Sequence, residues 1–76
     1  MDLQEFVEAF AAEFEETDKS MFTSATVYKD IDEWGSLTAL SIISMVDAEM
    51  EKTVTGADLR SCTTIEELYN LIQTKE

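Results

Sequence analysis

The chain has 76 residues, room for one domain and one modest core, because a chain of this length hides only about 60% of the surface its unfolded form exposes. Seventeen acidic against five basic residues give a formal net charge of −12, which repels nucleic-acid phosphates and anionic membrane surfaces and favours encounter with basic-faced proteins. The absence of histidine excludes Ser-His and Cys-His nucleophilic schemes, HExxH metal sites and histidine proton shuttles.

From Asp2 to about Glu16, Leu3, Phe6, Val7, Phe10 and Phe14 recur at spacings of three and four, which predicts a helix with one apolar face. Its other face carries Glu5, Glu8, Glu13, Glu15 and Glu16. Acids near the start suit the helix dipole, while those near the end oppose it and predict an early fraying of the last turn. No period holds over residues 17–35. There Thr23, Ser24 and Thr26, set between Met21-Phe22 and Val27-Tyr28, read as a long loop pinned by its apolar residues.

A second helix is expected from Ser36, after Gly35, to about Glu51, with Leu37, Leu40, Ile43, Val46 and Met50 as one stripe that Ile42 and Met45 widen. A helix this apolar is buried on two sides or offers part of its surface to a partner. Gly56 and the polar run Ser61 to Thr64 leave space for one or two helical turns around Ala57 to Arg60. Thr64-Ile65-Glu66-Glu67 matches a capping box, and Ile65, Leu68, Tyr69 and Ile72 continue a last helix to near Thr74. The fold expected is all-α, a single domain over residues 1–76: a small four-helix bundle with a short third helix and a long loop between the first two helices.

No apolar run reaches the roughly 20 residues of a membrane span, no stretch reads as a signal segment, and the lone Cys62 has no disulfide partner. A soluble, cytoplasmic monomer without membrane insertion is expected, with Cys62 a small buried or half-buried residue.

The candidate chemistry lies in Asp30-Ile31-Asp32-Glu33-Trp34-Gly35-Ser36-Leu37. Asp30, Asp32 and Gly35 fall at positions one, three and six of a calcium loop, but Trp34 at position five cannot ligate and Ser41 stands where a bidentate Glu is needed. No metal is expected. Ser36 reads as an N-cap, or as an exposed hydroxyl open to modification where unpaired N–H groups and the positive dipole end can hold a phosphodiester. The two roles are compatible. Trp34 reads as a plug over the helix start.

Gly35-Ser36-Leu37 before an apolar helix, with an amphipathic helix and long loop ahead and a short then a capped helix behind, resembles the acyl carrier protein family over essentially the whole chain. In that family the Ser of an Asp-Ser-Leu motif receives 4'-phosphopantetheine from coenzyme A through a phosphopantetheinyl transferase, and the terminal thiol holds acyl groups as thioesters. Ser36 matches the modified Ser and Leu37 the Leu that follows it; the acidic positions beyond map to Asp47, Glu49 and Glu51. The resemblance implies a non-enzymatic carrier for fatty-acid, lipid or related acyl biosynthesis, with 4'-phosphopantetheine on Ser36 as its cofactor. Its partners would be the transferase and acyl-loading and condensing enzymes with basic patches, met by Leu37, Met45, Asp47, Glu49 and Glu51.

Two departures from the family pattern stand out. Gly35 occupies the position usually held by Asp, and Ser41 and Ser44 make the first half of the second helix less acidic, which points to a specialised partner set. The surplus apolar residues of that helix, with Phe10, Phe14, Ile65, Leu68 and Ile72, would either line a cavity sheltering an acyl chain or fill a solid core. The other class of function that fits is an unmodified carrier-like interaction module, binding a basic-faced partner through the acidic second helix.

Overall fold

The side chain of Asp2 accepts the Glu5 amide, and the Glu5 carboxylate accepts the Asp2 amide, so α1 (Leu3–Ala12) begins in a closed capping box. The structure, a computed structural model, describes residues 1–75. Phe6, Val7, Phe10 and Ala11 bury one face of α1. The helix stops at Ala12 rather than near Glu16, and two causes act together. Glu13, Glu15 and Glu16 meet the negative end of the dipole with no basic residue in the last turn. In addition, the Glu33 carboxylate accepts the amides of Glu15, Glu16 and Thr17, which a continuing helix would have needed.

The connection that follows contains two short 3-10 turns, Lys19–Met21 and Tyr28–Asp30. Phe22 and Tyr28 pin it to the core as expected, whereas Met21 stays 65% exposed. The Tyr28 hydroxyl donates to the carbonyls of Leu59 and Cys62, tying the loop to the end of α3 (Gly56–Ser61). Burial, with smaller contributions from Cys62 and Glu67, raises the phenol well above its ordinary range, so it stays a donor. Val27 bridges to Thr64, and the amides of Ile65 and Glu66 donate to the carbonyls of Thr26 and Ser24. The loop is thereby stitched to the start of α4 (Ile65–Gln73).

α2 (Ser36–Met50) contributes Ile42, Met45 and Val46 to the core. The stripe expected along it is corrected in its first half: Leu37 and Leu40 are 83% and 59% exposed. The inward line instead runs through the buried Ile42 and Val46 and the half-buried Ala39, Ile43 and Met50, at the same helical spacing but begun from a small residue. α3 extends one residue beyond the expected turns at each end, and a capping box of Thr55 and Asp58 sets its start. α4 carries the expected box of Thr64 and Glu67 and ends at Gln73. The all-α four-helix architecture with a short third helix is the one observed. Cys62 is buried and unpaired with any other sulfur. Among the described residues no helix is long and apolar enough to cross a membrane.

Candidate functional site

The start of α2 is built from the loop side. Glu33 Oε2 accepts the Glu15 amide at 2.8 Å, while Oε1 accepts the amides of Glu16 and Thr17 and the Thr17 hydroxyl at 2.8–3.0 Å. Partial desolvation pushes this carboxyl up, but the Thr17 hydroxyl and the three amides together outweigh it and hold the group below its ordinary value. Trp34, the next residue, stacks nearly parallel to Phe10 at 6.4 Å between centroids and meets Tyr28 edge-on at 4.9 Å. It seats the helix start on the aromatic core, as the plug reading expects. Two consecutive residues therefore fix the approach to Ser36, one by hydrogen bonds and one by packing.

Ser36 is the first helical residue and not the N-cap. Gly35 holds the cap position, because its carbonyl already accepts the Ala39 amide at 2.9 Å. Its backbone is extended (φ −174°, ψ −172°), and a Cβ placed there would meet nothing within 4 Å, so neither conformation nor space demands glycine. Having no side chain, Gly35 leaves the first amides of α2 uncapped. The nearby hydroxyls of Thr38 and Ser41 donate to the carbonyls of Glu33 and Leu37. The exposed hydroxyl of Ser36 has no hydrogen-bond partner among the described residues. α1, α3 and α4 each start in a reciprocal capping box, so the helix beginning at Ser36 is the exception.

Two clefts open on either side of Ser36. One, of about 530 Å3, lies against Glu13, Glu15, Glu33, Leu37 and Thr38. The other, of about 300 Å3, lies between α2 and α3, against Lys29, Trp34, Ala39, Leu59 and Arg60. Phe10, Phe14, Ile65, Leu68 and Ile72 line neither of these two clefts, and all five are at most 6% exposed. All five belong to the one buried core cluster.

Farther along α2, Leu37 and Leu40 leave an apolar patch on the surface beside the exposed Ser44, and Asp47, Glu49 and Glu51 are exposed at the helix end. Met45 turns inward at 7% exposure, and only its edge reaches a shallow depression beneath Leu37 and Leu40. Leu40 takes the surface position that sequence reasoning gave to Met45; its exposure follows once the inward line is drawn from Ala39. Glu51 ends α2 in the left-handed region (φ 55°, ψ 38°), a conformation that favours glycine. The three acids also crowd the negative end of the dipole without a basic residue in the last turn. Against family models, curated proteins and solved structures, the chain finds no match.

Proposed function

We propose that this chain is an acyl carrier whose Ser36 bears a 4'-phosphopantetheine arm, serving fatty-acid, lipid or related acyl biosynthesis. The observation that carries the reading is the state of Ser36: an exposed hydroxyl without a hydrogen-bond partner among the described residues, at the one α-helix start that lacks a side-chain cap, beside the 83% exposed Leu37. The residues present fit the group. The hydroxyl is accessible, clefts flank it, and the uncapped amides at the positive end of α2 favour a negative phosphodiester.

In this reading Ser36 Oγ forms the new bond to phosphorus as the bond to the nucleotide portion of coenzyme A breaks, and the hydroxyl proton passes to a base on the transferase. When bound, the arm supplies the thiol that holds acyl groups as thioesters. The chain itself contributes position and surface. Glu33 and Trp34 hold the attachment point, Leu37 and Leu40 offer apolar contact, and Asp47, Glu49 and Glu51 draw in basic-faced enzymes. Cys62, buried among apolar neighbours, is not the carrying thiol. Both ends of α2 depart from favourable helix chemistry, a pattern that gathers at functional surfaces.

Intact mass after incubation with coenzyme A and a phosphopantetheinyl transferase tests the proposal. One arm should add to the wild type and none to Ser36→Ala. No gain with several transferases would overturn it, leaving the unmodified interaction module, for which Ser36→Ala keeps full partner binding.

A further inference from the structure

Ser36 stands between two clefts of opposite character. On one side the wall is acidic, with Glu13, Glu15 and Glu33. On the other, two of the five cations of a chain with net charge −12 come together, Lys29 and Arg60. The sequence separates them by thirty-one positions, and the fold joins them: Lys29 Nζ donates to the Arg60 carbonyl at 2.8 Å, capping the end of α3. One Arg60 guanidinium nitrogen reaches back to 3.3 Å from where a Gly56 Cβ would stand, so the bare glycine makes room for it along α3. Neither cation forms an ion pair among the described residues, where the pair found is Lys75 with Asp58. Glu67 lies in the field of Lys29, but its carboxylate is taken up by the amides of Thr63 and Thr64.

We infer that Lys29 and Arg60 form a phosphate-holding pair for the group that Ser36 bears, turning its phosphodiester toward α3 and away from Glu13, Glu15 and Glu33. This rests on the carrier reading of Ser36. A phosphodiester carries one negative charge, which the acidic wall repels and the basic pair attracts with charge-assisted hydrogen bonds. Trp34 and Leu59 line the same cleft and give the less polar part of the group an apolar wall. Arg60, on the last turn of α3, supplies a planar donor fork suited to phosphate oxygens; Lys29 supplies a point charge.

A thermodynamic cycle tests this without relying on carrier activity. Apo and loaded forms of wild type, Arg60→Gln, Lys29→Gln and Lys19→Gln are compared by melting temperature at low salt, with loading verified by mass. Lys19 lines neither cleft beside Ser36 and serves as the control. Another negative charge on so acidic a chain raises self-repulsion, so an unpaired phosphodiester lowers the melting temperature. Loading should leave wild type and Lys19→Gln level or higher, and should lower Arg60→Gln by about 4 °C relative to them, with Lys29→Gln in the same direction. The 31P resonance of the loaded protein should move with Arg60→Gln and not with Lys19→Gln. Loaded proteins with equal shifts throughout and an unmoved resonance would overturn the basic pair alone. Wild type that takes no arm would overturn the carrier reading and this inference with it.

Discussion

At the start of α4, Thr64 accepts the Glu67 amide, Glu67 accepts the amides of Thr63 and Thr64, and the carbonyls of Thr26 and Ser24 accept those of Ile65 and Glu66, so the early donors are all met. At the start of α2, Gly35 offers no side chain, and the first amides and the Ser36 hydroxyl are left open. The α2 start is nonetheless held firmly, because Glu33 and Trp34 fasten it to the segment just after α1 and to the aromatic core. The difference separates two properties that usually travel together. A helix start can be rigid without being closed, and only an open one leaves a hydroxyl and a set of amides to offer a ligand.

The sharpest way to break that comparison is to release the external hold. Glu33→Ala leaves three amides and the Thr17 hydroxyl without their acceptor, and it should lower the melting temperature more than Thr64→Ala, which removes a single acceptor. Hydrogen exchange should report faster exchange at Glu15, Glu16 and Thr17, with Glu67 and its partners unchanged. Protection that persists at residues 15–17 would mean that packing of Trp34 alone holds the start. The effect also has a pH signature. The folded-state pKa of Glu33 lies below its ordinary value of 4.5, so the stabilisation is complete above 4.5 and fades as pH falls through the folded value. The stability difference between wild type and Glu33→Gln should therefore be constant near neutrality and close below pH 4.5.

How much of the fold and the site is legible in the sequence depends on distance along the chain. The Thr64 and Glu67 box is legible because both partners sit within one turn, and the helix after it has strong spacing. The equally local box of Thr55 and Asp58 is not, because six residues of α3 are too few for a period to announce it. The early end of α1 is half legible, from its acids, but Glu33 acts from sixteen to eighteen positions away. Along α2 the residue types point to the right helix and the wrong angle. Weighting by side-chain size favours Leu40, whereas the inward line passes through Ala39. Ser36 itself is legible as a helix start; its exclusion from the cap position required the observed Gly35 carbonyl bond.

The acids at the far end of α2 allow a test that leaves the helix start alone. Asp47→Lys or Glu51→Lys should slow association with the transferase about tenfold at low salt, with the difference shrinking as salt rises and with no loss of folding. Equal rates at low salt would remove this end of the helix from the docking surface. Smaller still is the direct contrast between caps. Thr64→Ala should cost about 1 kcal/mol in urea unfolding, because it removes a side-chain acceptor from an early amide. Ser36→Ala should change stability by less than about 0.5 kcal/mol, because its hydroxyl caps nothing. Comparable losses for the two would show that the Ser36 hydroxyl is structurally engaged after all.

The smallest effect expected comes from closing the open start. Gly35 is extended and has nothing within 4 Å of a Cβ, so Gly35→Asp can be accommodated without strain. The new carboxylate would accept an early amide of α2, and the unfolded chain would lose some freedom, for a combined gain of about 0.5 kcal/mol. Opposing this, the carboxylate enters beside the cleft of Glu13, Glu15 and Glu33. Salt separates the two contributions, because screening weakens repulsion among exposed acids while a short hydrogen bond to the backbone persists. The gain should therefore be larger at about 1 M salt, where the screening length is roughly 3 Å, than at about 0.01 M, where it is roughly 30 Å. A loss of stability at both concentrations would break the comparison at its root. It would mean that the amides at the start of α2 are already satisfied by something that a carboxylate displaces.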